Sequence, residues 1–410
     1  MKTKGTHFGG CFFCALFCFR AHIRATILLS SILIYAKIQP MENTNEIQLN
    51  QTLAPVKKPR NASFEILRIV SMVLIISSHF LGHGGWQHNM VGASWVFGNI
   101  LYGIFVPSVN LYVMIGAYFT CASSSTKINF RKLLKLWGEV FFYSILLFAV
   151  SMASGMYEFD VNHLLSSIFP LMTGKYWYFT AYFALLLLSP FLNMILRQVS
   201  TKQLVGICAV FIIAGGIQAE TDVALPQIPF ARGFNIIWFV GLYFIAALIR
   251  RTDFKFNKKT GAIALVLYVG ALVYSYFVYT KYTSFMGVLM TVIVFVFFKE
   301  LKVKEGLFSK FVCAVSPLTF GVYLIHDSNE MRGFMYQNIF HSYKFYDHQV
   351  AFLILVGFIL LTFVTCAVFD FVRHQIGVLT APFANKVLDK IETSLKAKIE
   401  VLKARRSAAE

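Results

Sequence analysis

The chain has 410 residues, of which 57% are hydrophobic and only 14% charged, and its mean hydropathy is +0.65. A soluble globular domain carries roughly 25% charged residues, so a water-soluble fold of this length is excluded. The formal net charge of +18 would suit a nucleic-acid binder, but the basic residues fall in the gaps between apolar runs and no nucleic-acid motif is present.

The first forty residues contain apolar stretches at 9–19 and 25–36, separated by Arg20, His22 and Arg24. Each is shorter than the roughly 20 residues needed to cross a bilayer. Cys11, Cys14 and Cys18 cluster here without a second cluster to complete a metal site, and no disulfide framework is indicated. The polar stretch after Met41 reads as an ordinary cytoplasmic N-terminus. Translation is therefore expected to start at Met41, making 1–40 a mis-called extension, with a cleaved signal peptide as the alternative. Residues 41–63 are expected to be cytoplasmic, 64–375 to form a transmembrane domain, and 376–410 a basic tail.

Ten apolar runs follow, at 64–82, 96–119, 136–154, 176–196, 203–218, 234–249, 261–280, 283–298, 311–326 and 349–372. In hydrocarbon a backbone must satisfy its own polar groups, so runs of this length predict helices. The expected fold is an all-α integral membrane bundle of about ten transmembrane helices. Lys57, Lys58, Arg60, Lys127, Arg131, Lys132, Lys135, Arg197, Lys202, Arg250 and Arg251 all fall in alternate gaps, as do many later lysines. The other gaps hold only Lys175, Arg232, Lys281, Arg332 and Lys344. Positive charge marks the cytoplasmic side, which predicts N-in and C-in topology, and the expected location is a bacterial plasma (inner) membrane. In the tail, Val387, Leu388, Ile391, Leu395, Ile399 and Leu402 alternate with lysines. That pattern fits an amphipathic helix on the membrane surface or a solvated tail.

Ionisable side chains inside a span cost roughly 2.5–3.5 kcal/mol each on insertion scales and are functional candidates by default. The first run carries Glu65, Arg68 and His79. Glu65 and Arg68 are neighbours on one helix face. Arg68 and His79 lie about 20° off one line and ~16 Å apart along the axis, so the three share a polar stripe roughly 60° wide. The bland readings are a headgroup-seeking surface pair for Glu65 and Arg68, and a simple interhelical hydrogen bond for His79.

The spacing Glu65-x-x-Arg68 with His79 after ten intervening residues resembles the opening signature of the acyltransferase-3 family of integral membrane acyltransferases. Ser108-Val-Asn110-Leu-Tyr-Val-Met-Ile-Gly116-Ala-Tyr-Phe119 resembles that family's second span, with Ala117 inserted between glycine and tyrosine. Arg131, Lys132 and Lys135 stand where the family has an Arg-x-x-Arg pair; lysine keeps the charge but loses the bidentate fork that suits phosphate. An ordinary positive-inside loop would look the same. Lys175-Tyr-Trp177-Tyr178 with the later Pro190-Phe-Leu-Asn193 is similar to a further family segment, although aromatics also form interfacial belts. Ser316-Pro-Leu-Thr-Phe-Gly-Val-Tyr323-Leu-Ile-His326 resembles the family's last motif. The ordered set covers about residues 60 to 375.

The resemblance implies acyl transfer from an acyl-CoA co-substrate, usually acetyl-CoA, to a hydroxyl of a cell-surface or lipid-linked glycan, with no bound cofactor and no metal. Such chemistry needs a general base near neutral pH and cationic groups for the CoA phosphates. On this reading His79 is the base, while Arg68, oriented by Glu65, positions the donor or stabilises charge. Arg131, Lys132 and Lys135 attract the CoA phosphates. Asn110, Trp177, Tyr178, Tyr323 and His326 are further candidates without assigned roles. Direct transfer and an acyl-enzyme route both stay open, as do succinyl in place of acetyl and, from another class, a secondary transporter. The expected partners are the bilayer, acyl-CoA and the glycan acceptor.

Overall fold

The computed structural model describes residues 60–221, 230, 233–278, 280–348 and 350–407. The expectations for the first 59 residues, including the start at Met41, lie outside them. The described residues are almost entirely helical. They comprise α1 (Ala62–His83), α2 (Gly92–Phe105), α3 (Pro107–Thr120), α4 (Phe130–Ala153), α5 (Val161–Ile168), α6 (Trp177–Gln198) and α7 (Thr201–Thr221). They continue with α8 (Ile236–Thr252), α9 (Lys258–Phe277), α10 (Phe285–Glu300), α11 (Leu307–Val315), α12 (Thr319–His326), α13 (Asn329–Gly333) and α14 (Ala351–Ser407).

Eight helical stretches among the described residues are long and apolar enough to cross a membrane. This is a multi-pass membrane protein. Two of the ten expected spans, α8 and α10, are apolar but only 17 and 16 residues long. Each run of the sequence has a helix, with instructive differences at the ends. The run 96–119 is two helices meeting at Val106, where Pro107 cannot donate to the preceding turn and opens a new helix. The run 311–326 is likewise divided, by a 3-10 turn at Ser316–Leu318 containing Pro317. α4 begins six residues before the expected 136, because the Asn129 side chain accepts from the Lys132 backbone N–H at 2.9 Å and caps a polar first turn. Hydropathy locates lipid contact, whereas capping locates the helix end. α14 runs on unbroken past the expected 372 to Ser407, carrying Pro382 within it.

Burial separates centre from rim. In the α2–α3 stretch 72% of the apolar window is covered by protein, and in α1 56%; in α9 the share is 17%. α1 and α3 pack together at the centre and α8 lies against α3, while α11, α12 and α14 close on α1. α9 presents its flanks outward, with Leu265, Val266 and Val273 exposed as lipid-facing side chains would be.

Two glycines permit close approaches. A Cβ at Gly116 would collide with the Tyr182 hydroxyl, so α3 and α6 touch there only because the side chain is a hydrogen. A Cβ on Gly321 would collide with the Asp370 carboxylate, so α12 lies flat against a buried acid of α14. That acid belongs to a polar clamp: Asp370 accepts from the Tyr143 hydroxyl at 2.7 Å and from Arg373 Nε at 2.6 Å, and Arg373 reaches Glu139 at 2.9 Å. Four polar groups thus fasten α14 to α4, each satisfied by another, as burial requires.

Candidate active site

α1 and the α11–α12 pair run side by side in the same direction and are joined at two levels. At one level, Glu65 accepts from Arg68 Nη1 at 3.0 Å and from Ser316 Oγ at 2.5 Å. At the other, His79 Nδ1 lies 3.1 Å from His326 Nε2. Glu65 is buried and Arg68 only partly so, which fits neither side chain reaching out to headgroups. The two levels correspond to the two ends of the polar stripe on α1, ~16 Å apart.

A cavity lies near the Arg68 level, although Arg68 itself is not part of its lining. Its volume is about 320 Å³, and Thr120, Ser123, Ser125, Lys127, Asn129, Lys132 and Asn193 supply its polar lining. Its wall on α6 is the turn around Pro190, inside the continuous helix. Pro190 cannot donate to the Leu186 carbonyl, and Ser189 Oγ takes that acceptor at 2.8 Å. Lys132 faces the charge of Arg68 across this region. The three basic residues expected to act together diverge. Lys132 lines the cavity; Arg131 instead bonds Asn385 at 3.0 Å and pairs with Asp389 at 3.4 Å on α14; Lys135 is exposed outside the lining. At about 100° per residue the three lie within an arc of about 100°, so helical spacing alone would let them share a face, and it is the packing of α14 against Arg131 that separates them.

Between the two levels stands a column of tyrosine rings. Tyr112 meets Tyr178 edge-on at 5.7 Å, Tyr178 stacks on Tyr182 at 5.7 Å, and Tyr178 meets Tyr323 at 5.6 Å. Tyr323 in turn lies 6.5 Å from the His326 ring. Among the described residues the hydroxyls of Tyr178 and Tyr323 are buried without a hydrogen-bond partner. Trp177 packs on Phe234 at 4.7 Å at the rim of this column. Asn110 stands apart as a packing node. Its amide donates to the Tyr282 carbonyl at 2.8 Å and to Thr291, and its oxygen accepts from the Trp238 indole at 3.0 Å.

The histidine level is denser than the sequence suggested. Asp327 Oδ1 lies 3.5 Å from His79 Nδ1 and accepts from Arg332 at 2.8 and 3.0 Å. His83, one turn beyond His79 on α1, is exposed and its ring lies 5.3 Å from that of His79. Atoms of His79, His83 and Asp327 that could ligate a cation fall within 4.8 Å of one another. The guanidinium already seated on the Asp327 carboxylate opposes a second positive charge there, so the cluster suits proton handling better than cation binding.

Beside it, Lys175 Nζ bonds Glu330 Oε1 at 2.5 Å and Ser167 Oγ at 2.8 Å, and His163 Nε2 reaches the same Glu330 oxygen at 2.7 Å. Both Lys175 and Glu330 side chains are sealed from solvent. Burial pushes the Lys175 ammonium below its usual range against the pull of Glu330. Burial by itself would raise the Glu330 carboxyl, but Lys175 and His163 overcome it and hold it below the usual carboxylate range.

A base-type imidazole, a carboxylate-paired arginine on the same helix and a basic cavity form an arrangement suited to transfer between two substrates. A family model described as an acyltransferase domain matches residues 61–371, the whole stretch from the N-cap of α1 into α14. The chain belongs to the acyltransferase-3 family. It is an acyltransferase, an enzyme of the membrane. No curated protein and no solved structure matches it.

Several polar residues of this acyltransferase escaped sequence reading. Asp327, Glu330 and Arg332 sit in a hydrophilic stretch that reads as a solvated loop, and Lys175 reads as one of a few outer-loop cations. Only tertiary packing buries Asp327, Glu330 and Lys175, and Arg332 is half-buried beside them. Asp370 was different: an acid inside the run 349–372, with Arg373 three residues on, is a visible intramembrane pair.

Proposed function

We propose that this membrane acyltransferase moves an acetyl group from acetyl-CoA to a hydroxyl of a cell-surface or lipid-linked glycan in a bacterial plasma membrane. The observation that carries the proposal is the pairing along α1 of Arg68, beside a basic cavity, with His79, hydrogen-bonded into a histidine–aspartate cluster. The basic end faces the cytoplasm, where CoA is found, and Lys132, Lys127 and Arg68 supply positive charge for its phosphates. The pantetheine arm threads the ~16 Å from Arg68 to His79 past the tyrosine column. Buried hydroxyls without partners cost about 1–3 kcal/mol each, and those of Tyr178 and Tyr323 would regain partners on pantetheine amides.

In the transfer step His79 Nε2 takes the proton of the acceptor hydroxyl as that oxygen attacks the thioester carbonyl. The C–O bond forms, the C–S bond breaks, and the departing thiolate takes the proton back from His79. The products are the ester and free CoA thiol. Removing a general base costs typically 10²–10⁴-fold in rate. Succinyl transfer uses the same step, and competition between acetyl-CoA and succinyl-CoA decides between them. Transport, the reading from another class, is set aside by membership of an acyltransferase family.

The test is transfer of radiolabel from acetyl-CoA into glycan by His79→Ala and Arg68→Ala variants at matched expression. His79→Ala is expected to lose at least ~100-fold in kcat, and Arg68→Ala to raise the donor KM. Undiminished transfer by His79→Ala would remove the imidazole from the mechanism, and with it this proposal.

A further inference from the structure

We propose that His326 is a positioning residue that fixes the tautomer of His79, holding the proton on Nδ1 and leaving the Nε2 lone pair free for the acceptor hydroxyl. This rests on the reading of His79 as general base and deepens it.

The assignment follows from a chain of two hydrogen bonds with one fixed end. His326 Nδ1 lies 2.6 Å from the backbone carbonyl of Val322, one turn earlier on α12. A carbonyl oxygen only accepts, so His326 Nδ1 must carry a hydrogen. The His326 side chain is fully buried, and the nearest carboxylate, Asp327, is committed to Arg332. A buried ring with a single carbonyl partner is neutral, because a charge there would lack compensation. Its one hydrogen being on Nδ1, its Nε2 is an acceptor. The atom 3.1 Å from that Nε2 is His79 Nδ1, which must then be the donor. His79 therefore bears its hydrogen on Nδ1, and Nε2 is unprotonated in the resting enzyme.

The surroundings support the same state. Asp327 Oδ1 lies 3.5 Å from the same His79 Nδ1 and offers negative charge to the N–H, not to the catalytic nitrogen. As Nε2 gains a proton in the transfer step, the imidazolium keeps its Nδ1–H pointed at His326 and Asp327. The other charged or titratable groups facing His79 are His83 on its own helix and Arg332 on α13. Neither makes a direct hydrogen bond to the ring within the described residues. Orientation of the base thus comes from α12, through a side chain that touches no substrate. A second imidazole serves here where a carboxylate or backbone carbonyl holds the base in many enzymes. A neutral acceptor lets Asp327 balance the charge from the side.

The test compares His326→Ala, His326→Gln and His79→Ala in the full-length protein, with thermal unfolding as a folding control. His326→Ala is expected to lower kcat about 10–100-fold with donor KM within about threefold, since only the productive tautomer and ring orientation are lost. His326→Gln places a carboxamide oxygen near the former Nε2 and is expected to recover a substantial part of kcat. Nitrogen-15 spectra of imidazole-labelled protein, assigned by loss of signal in His79→Ala, are expected to show His79 protonated on Nδ1 in the wild type. They should show mixed tautomers in His326→Ala. Wild-type kcat in His326→Ala, no rescue by glutamine, or a wild-type His79 protonated on Nε2 would each overturn the inference. Full activity in His79→Ala would instead defeat the functional reading, so the two failures are distinguishable.

Discussion

The two ends of the stripe on α1 hold charge in opposite ways. At the Arg68 end Arg68 is partly exposed, Lys127 and Lys132 line a nearby open cavity, and among the described residues Glu65 is the one acid bonded to Arg68. Positive charge is left over. At the His79 end each acid is matched: Asp327 by Arg332, Glu330 by Lys175 and His163, with these carboxylates and Lys175 buried. An end with surplus charge and open volume suits a ligand that brings its own opposite charge. An end whose charges are already compensated at fixed distances suits movement of a proton, because little reorganisation accompanies the step. On the proposed reading, donor recognition and chemistry are divided between them.

The sharpest way to break this contrast is to unbalance the compensated end. Lys175→Ala leaves the Glu330 carboxylate buried without its closest partner, and a broken buried pair costs about 3–5 kcal/mol. The expected result is a large fall in the unfolding midpoint of the purified protein, with the cavity end unaffected in donor binding. The sign of the pH dependence follows from Glu330. Its folded pKa is depressed, so its contribution is complete above the unfolded value of about 4.3 and is lost as pH falls through the lower folded value. The stability gap between wild type and Glu330→Gln should be full at neutral pH and close under acid. A gap that widened on acidification would contradict the pairing.

A smaller effect is expected at the contact that sets α12 against α14. Gly321→Ala forces a methyl against the Asp370 carboxylate, and overpacking of this kind costs about 1–3 kcal/mol. Because α12 carries His326, kcat should fall along with the unfolding midpoint, while donor KM stays near wild type. A variant with normal kcat would mean that the His326 position tolerates movement of its helix.

The smallest expected effect separates two adjacent cations at the open end. Lys132→Ala should raise donor KM several-fold, as befits a partly screened charge contact of roughly 1 kcal/mol, and the difference should shrink at high salt. Arg131→Ala, which loses only contacts to Asn385 and Asp389, should leave KM unchanged. Equal effects of the two would mean that the cavity does not define the donor mouth.

How much was legible in the sequence depended on whether the signal was local. Lipid as solvent fixes helix as the form of every long apolar run, so the all-α bundle and the approximate limits of its helices follow from composition alone. The run 64–82 became α1 at Ala62–His83. Three ionisable residues in that run stood out because their cost in hydrocarbon is large whatever surrounds them. The pairing of Glu65 with Arg68 is a property of helical spacing, and it appears at 3.0 Å.

Tertiary structure alone decided which residues meet. His79 and His326 are 247 positions apart, and Lys175 and Glu330 are 155 apart; no periodicity links them. Whether a lysine in a short loop is solvated or sealed depends on what packs over it, so Lys175 and Glu330 carried no local mark. Asn110 was a site candidate only through the family resemblance, yet its amide is satisfied entirely within the packing. The cost of burying polarity says that a partner must exist. The fold chooses which one.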